Sequence, residues 1–187
     1  MSKDRDILRK KMQKMRTGID GKIFKDKLMF DCFFNMKEVS GFESFFVYVS
    51  MNDEADTLRI IEKLLCLNKK VCIPYTKDCT MSVKRLLELP QNLKTDKLGN
   101  IYGADTLPTV DFDCDCAVVP MLAFNNRLFR LGYGGGYYDR FLSTFKGFRL
   151  GLAYSEQLNN EFAESCFDEG LDAIVTQNGI IRKRGAL

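Results

Sequence analysis

Residues 116–142, CAVVPMLAFNNRLFRLGYGGGYYDRFL, are the passage on which the reading of the fold turns. Cys116-Ala117-Val118-Val119-Pro120 is a short apolar run closed by proline, with the length and valine content of a buried strand. Gly132, Gly134, Gly135 and Gly136 crowd the far end of the passage, and the spacing predicts a helix from about Tyr137 to Phe145. A strand that leads through glycines into a helix is half of a βαβ unit.

The same alternation continues on both sides. Toward the N-terminus, Phe45-Phe46-Val47-Tyr48-Val49 reads as a buried strand, followed at once by helix-start residues Asn52-Asp53-Glu54. The next helix carries Leu58, Ile61, Leu64 and Leu65 on one stripe and ends near Asn68. Val71-Cys72-Ile73-Pro74 is a strand halted by its proline. Residues 80–112 offer a strand near Met81 to Val83 and otherwise loop. Residues 3–17 form a very basic first helix with Ile7, Leu8, Met12 and Met15 at helical spacing, broken at Thr17-Gly18. Residues 20–37 form a second helix, whose buried side takes Ile23, Phe24, Leu28, Phe30, Phe33 and Phe34. Beyond the glycines come strands at Phe148 to Ala153 and Leu171 to Thr176, a helix at 156–165 between them, and an edge strand at Ile180-Ile181-Arg182. The expectation is an α/β fold of Rossmann-like, three-layer kind. It has a mostly parallel sheet with helices on both faces, in one domain spanning 1–187, with N-terminal basic helices (about 3–37) packing on it.

Composition narrows the function. No apolar run approaches the roughly 20 residues that span a bilayer, and the charged N-terminus does not resemble a signal peptide. Seven cysteines without such a signal point to reduced thiols and a soluble, cytoplasmic protein. Cys114 and Cys116 form only a C-x-C, and with no histidine in the chain a structural zinc site is not expected. The lack of histidine also excludes Ser–His and Cys–His nucleophiles. Acid–base work falls to carboxylates, lysine or tyrosine, or is avoided. A net charge of +3 does not itself argue for nucleic acid, although basic residues gather at Lys3 to Arg16 and at Arg182 to Arg184.

In sheets of this kind ligands bind beyond the carboxyl ends of the strands. Two loops therefore matter, Ser50 to Glu54 and the glycine-rich stretch. Glycines leave backbone N–H groups open to an anion, the helix from Tyr137 adds its positive end, and Arg130 and Arg140 flank the loop as charge partners for phosphate. Asp139, in the first helical turn, suits a magnesium ion carried by a nucleotide, which needs only one or two protein carboxylates. The loop is neither a Walker A motif nor G-x-G-x-x-G. A plain tight turn with its tyrosines in the core is the competing reading.

The run RLGYGGGYYDRFL at 130–142, with the preceding VVPMLAF, resembles the signature of 5-formyltetrahydrofolate cyclo-ligases, also called methenyltetrahydrofolate synthetases. The resemblance extends to FRLGLAYSEQ at 148–157, to DAIVT at 172–176 and to the start of the chain, and it is weak between about 76 and 112. It implies an ATP- and Mg²⁺-dependent enzyme. ATP would be contacted by Arg5 and Arg9 and by the segment Arg130, Leu131, Gly132, Tyr133, Gly134, Gly135, Gly136, Tyr137 and Tyr138. Folate would be bordered by Val49, Glu54 and the stretch Tyr133 to Tyr137, magnesium would be held by Asp139, and Arg130, Tyr133 and Tyr138 would serve catalysis. Arg5 stands where the family has lysine, which keeps the charge and changes the donor geometry. Without the family, Arg5 and Arg9 read equally as a solvated basic face, and Asp53 and Glu54 as residues that favour a helix start.

The chemistry implied is phosphoryl transfer from ATP to the formyl oxygen, then attack of N10 on the activated carbon. The products are 5,10-methenyltetrahydrofolate, ADP and phosphate. Departures from the family are also legible. Its second acidic metal ligand falls around Ser165 or Cys166, so that Glu164, Asp168 or water must substitute. Its F-D-x-x-G-x-R becomes Phe124-Asn125-Asn126-Arg127-Leu128-Phe129-Arg130, so the turn must be built differently. Pro74-Tyr75 lacks the basic residue often found after that proline. The expected partners are small molecules, with no membrane, no nucleic acid and a monomeric state. The competing functional reading is a non-catalytic nucleotide- or RNA-binding member of the same fold.

Overall fold

Alternating side chains of a single central strand organise the molecule, seen here in a computed structural model that describes residues 3–183 other than 52, 79, 92, 93, 98 and 112. Strand β1 (Ser44–Val47) is wholly buried and lies between β2 (Lys70–Lys77) and β4 (Cys116–Val119), parallel to both. Successive residues of a strand point to opposite faces. Phe45 and Val47 accordingly pack with helices α2 (Lys22–Phe34), α3 (Lys37–Gly41) and α4 (Leu58–Cys66) on one side. Phe46 packs on the other side with α5 (Tyr137–Leu142). Burial on both faces explains the continuous apolar runs that identify these strands in the sequence.

Among the described residues the main sheet has seven strands in the order β3-β2-β1-β4-β7-β8-β9. Strands β7 (Phe148–Leu152) and β8 (Ala173–Thr176) extend the parallel set, while β3 (Thr80–Leu86) and β9 (Gly179–Arg182) pair antiparallel at the two edges. A small hairpin of β5 (Ala123–Phe124) and β6 (Arg130–Leu131) stands apart from the sheet. Helix α1 (Lys3–Thr17) packs Leu8 and Met12 onto Leu122, Ala123 and Leu131 at this hairpin. The chain leaves β1 toward β2 and returns later to β4, so its direction of travel across the sheet reverses between β1 and β4. Their carboxyl ends border the crevice where doubly wound sheets bind ligands.

The alternation predicted from sequence is present, with local differences. β2 continues past Pro74 to Lys77, because its pairing with β1 ends at Cys72 and the proline costs no rung there. α4 starts at Leu58, where Asp56 accepts the Leu58 amide (2.9 Å), and not at Asp53 or Glu54, which shape a preceding turn. Asn52 and Arg184 lie outside the described residues. In α2, Phe33 is buried as expected and Phe30 and Phe34 pack against the core, but Ile23 and Phe24 are 85% and 66% exposed, and Met29 joins Phe33 on the buried stripe. The helix is phased by polar contacts on that same inward face, where Lys22 donates to the Asp53 carbonyl and Asp26 accepts from the Tyr154 hydroxyl. The helix expected at 156–165 is a 3-10 turn at Ser155–Gln157 followed by irregular chain. Gln157 is buried and hydrogen-bonds the Tyr154 amide and the Met121 and Leu122 carbonyls. Asn159 accepts the Glu161 amide, an asparagine bond that competes with helix.

Asn125 and Leu128 build the hairpin turn. The Asn125 side-chain oxygen accepts the amides of Arg127 and Phe129 at 3.0 Å each. Leu128, at the family's glycine position, sits at φ 62 with its side chain buried. The turn therefore keeps a backbone shape that favours glycine while a leucine fills the core beneath it.

Candidate active site

The crevice between β1 and β4 opens into a cleft of about 900 Å³, the size of a small-molecule site. Its walls include one ridge of α1, the turn after β1, Pro74 and Thr76 of β2, Lys97 and Gly99, Pro120 after β4, and the glycine-rich loop carried by the hairpin. Residues 165–169 close one rim.

The α1 ridge is Arg5, Arg9, Gln13 and Arg16, spaced so that all four share one helical face. Arg5 holds the Asp168 carboxylate with two bonds (2.9 and 3.2 Å). Its Nε is the one buried side-chain nitrogen or oxygen without a hydrogen-bond partner among the described residues. Arg9 donates from Nε to the Gly132 carbonyl (3.0 Å), tethering the base of the glycine loop. Arg16 is only 2% exposed. It forks onto Asp53 at 3.0 and 3.1 Å and donates to the Met121 carbonyl at 3.2 Å. Burial works against the Arg16 cation, but the Asp53 bond and the nearby Tyr133 and Glu54 outweigh it and strengthen its hold on the proton.

Glu54 is buried at the floor. Its carboxylate accepts the Met51 amide (2.9 Å) and the Tyr133 hydroxyl and lies 3.8 Å from Arg16 Nη1. Burial raises its pKa against the pull of those donors and of Arg16. Asp53 is pushed up by burial and drawn further down by Arg16, so its net shift is downward.

In the glycine loop, Gly134 (φ 102) and Gly136 (φ 67) occupy backbone conformations that disfavour side chains. No amide from Gly132 to Tyr137 has a hydrogen-bond acceptor among the described residues, which leaves these donors unpartnered in a loop that lines the cleft. α5 is only six residues long, which leaves the amides and the arginines as the main attraction for an anion.

The two arginines expected as charge partners for phosphate both line the cleft but are held differently. Arg130 is 3% exposed and bonded to Asp139 at 2.9 Å; burial lowers its pKa despite that partner. Arg140 folds back onto the Gly135 carbonyl (3.2 Å) and over the Tyr137 ring. Asp139 remains partly open, its side chain 27% exposed on the cleft wall.

The structure thus brings Arg5, Arg9, Val49, Glu54, Arg130, Gly132 to Tyr138 and Asp139 around one cavity. Leu131 is the exception: its side chain is buried against Leu8 and Met12. Of the two acidic candidates near the C-terminal end, Asp168 lines the cleft, whereas Glu164 bonds Asn125 and Arg127 away from it. Ser165 and Cys166 share that rim. Arg16 was not singled out in the sequence. Its signal is an arginine at the next step of the Leu8–Met12 stripe, where an apolar residue belongs.

A mostly parallel α/β sheet with an arginine-walled, glycine-looped cleft at its switch point defines a small-molecule-binding protein of doubly wound type. The chain belongs to the 5-formyltetrahydrofolate cyclo-ligase family, whose model matches residues 1–177. A probable 5-formyltetrahydrofolate cyclo-ligase of Caenorhabditis elegans is 32% identical over 152 residues, covering 72% of this chain and 73% of the relative. One of Schizosaccharomyces pombe is 36% identical over 83 residues, 37% of this chain, and that match spans only 41% of the relative's length. The NMR structure of Aquifex aeolicus 5,10-methenyltetrahydrofolate synthetase superposes with a TM-score of 0.83 at 25% identity, covering 98% of this chain and 94% of that one.

Proposed function

We propose that this protein converts 5-formyltetrahydrofolate to 5,10-methenyltetrahydrofolate, using ATP and releasing ADP and phosphate. The observation that carries the reading is the row of unpartnered amides from Gly132 to Tyr137, lying between the arginines of α1 and the carboxylate of Glu54. The cleft has an anion-binding end and a carboxylate end, as the two substrates require.

The formyl oxygen is a poor leaving group until it is phosphorylated. The step needs alignment and charge stabilisation more than a strong base. Arg5 and Arg9 present cations along one wall, and the glycine amides donate to phosphate oxygens without side chains intervening. Glu54 accepts hydrogen bonds from pterin N–H groups and so orients N5 and N10 toward the phosphate end. Tyr133, bonded to Glu54 from the loop above, borders both ends, and substrate entry exchanges that bond for bonds to the pterin. Half-buried Tyr138 packs on Phe46 and Phe141 and lines the wall beside them.

Magnesium fits the residues present. No group of three metal-ligating side chains gathers among the described residues, but this ion is commonly held by one or two carboxylates plus substrate phosphates. Asp139 would hold it, with Asp168 as the second carboxylate, and both lie close enough to Arg130 to favour its charge. Bound there, the ion would neutralise charge on the transferring phosphoryl group. Arg130 then acts on Asp139, keeping its carboxylate aimed at the cleft.

The test is to mix protein, Mg²⁺, ATP and 5-formyltetrahydrofolate and to follow the methenyl chromophore together with ADP. Stoichiometric appearance of both supports the reading. ATP hydrolysis without the chromophore, or neither signal, overturns it.

A further inference from the structure

We propose that Arg16 is a positioning residue that sets the Glu54–Tyr133 pair for the folate end of the substrate. This deepens the reading above and rests on it. The guanidinium sits where four segments meet. It belongs to α1, forks onto Asp53 in the turn after β1, donates to the Met121 carbonyl after β4, and lies 5.6 Å from the centroid of the Tyr133 ring on the glycine loop. The nitrogen that bonds Met121 is also 3.8 Å from the Glu54 carboxylate.

A helix tether alone does not explain this placement. Leu8 and Met12 already dock α1 on the hairpin through apolar contact. An arginine continuing their stripe must be desolvated, which is costly unless it is fully paired. Its pairing is directed at the cleft. Without it, Glu54 would keep, among the described residues, only two neutral donors, the Met51 amide and the Tyr133 hydroxyl. Arg16 thus provides the nearby positive charge for a buried carboxylate that must present acceptors to the pterin, and it fixes the loop on which that carboxylate stands. Lysine could supply the charge but not the fork that holds Asp53 and Met121 together.

The experiment measures KM separately for 5-formyltetrahydrofolate and for MgATP in the wild type, Arg16→Lys, Arg16→Met, Glu54→Gln and the double variant Arg16→Met/Glu54→Gln. Arg16→Met is expected to raise the folate KM about 10- to 100-fold while the MgATP KM stays within about threefold. Arg16→Lys should fall between, with a folate KM raised about three- to tenfold, and it carries the comparison if the methionine variant does not fold. In the Glu54→Gln background, Arg16→Met should add no more than about threefold, because residues acting through one contact are not additive. A merely structural arginine would move both KM values together or lower only the active fraction. That pattern overturns the proposal, as does a wild-type folate KM in Arg16→Lys or a full additive penalty in the double variant. A wild type that forms no methenyl product and binds no folate removes the underlying reading and this proposal together, whereas active wild type with unmoved variants removes Arg16 alone.

Discussion

Replacing Asp139 by asparagine separates a structural consequence from a chemical one, and both can be sized. The Arg130–Asp139 contact is 2.9 Å long, with Arg130 3% exposed and the Asp139 side chain 27% exposed. Removing one partner of a fully buried pair costs about 3–5 kcal/mol, because the other charge is left uncompensated. Here the aspartate is partly in water, asparagine can still accept a hydrogen bond, and Asp168 also favours the Arg130 charge. The expected cost is therefore lower, about 2 kcal/mol, which for a chain of this size lowers Tm by about 4–8 °C. On the proposed assignment of Asp139 to magnesium, its loss removes several kcal/mol of charge stabilisation from phosphoryl transfer. About 3 kcal/mol of that corresponds to a rate reduced at least 100-fold at saturating Mg²⁺. Thermal unfolding without ligands reads the first effect, and methenyl formation against Mg²⁺ concentration reads the second. An unchanged Tm would show that Arg130 does not depend on this partner. An unchanged Mg²⁺ profile in a folded variant would refute the metal assignment.

Gly135→Val places a Cβ 2.7 Å from the Tyr137 ring, so the loop must shift; ATP affinity is expected to fall at least tenfold by calorimetry, and normal affinity would contradict the anion cradle. Leu128→Gly relieves the positive φ, worth about 1 kcal/mol, but empties a buried leucine position at about 2–5 kcal/mol, so urea unfolding should show a net loss of about 1–4 kcal/mol. Asp53 and Asp168 are shifted up by burial and further down by Arg16 and Arg5, so both have lowered pKa values in the folded chain. The unfolded chain consequently takes up their protons first as pH falls below about 4. The stability they contribute is fully present above that value and is lost as pH falls further, and an acid titration of Tm should show it.

Local chemistry carried much of the fold in the sequence. Val118, Phe46 and Ile174 stand in unbroken apolar runs because parallel strands are buried on both faces, and the glycine cluster marks a place where the backbone bends tightly and leaves its amides without acceptors. Those features depend on neighbours in the chain, so the α/β class and the loop from Arg130 to Arg140 could be read directly. The direction of the second helix could not. Phe24 is as apolar as Phe33, and only the partners of Lys22 and Asp26 across the molecule determine which side faces water. The same holds for the site. Arg16 reads as one more cation in a basic helix until α1 is laid on the hairpin and its guanidinium meets Asp53, Met121, Glu54 and Tyr133. Asp168 is separated from Glu164 only by the rim it occupies. Strand and loop identity arise from short-range periodicity and backbone freedom, which the chain encodes locally. The pairing of buried charges depends on segments far apart in sequence, and packing alone brings those segments together.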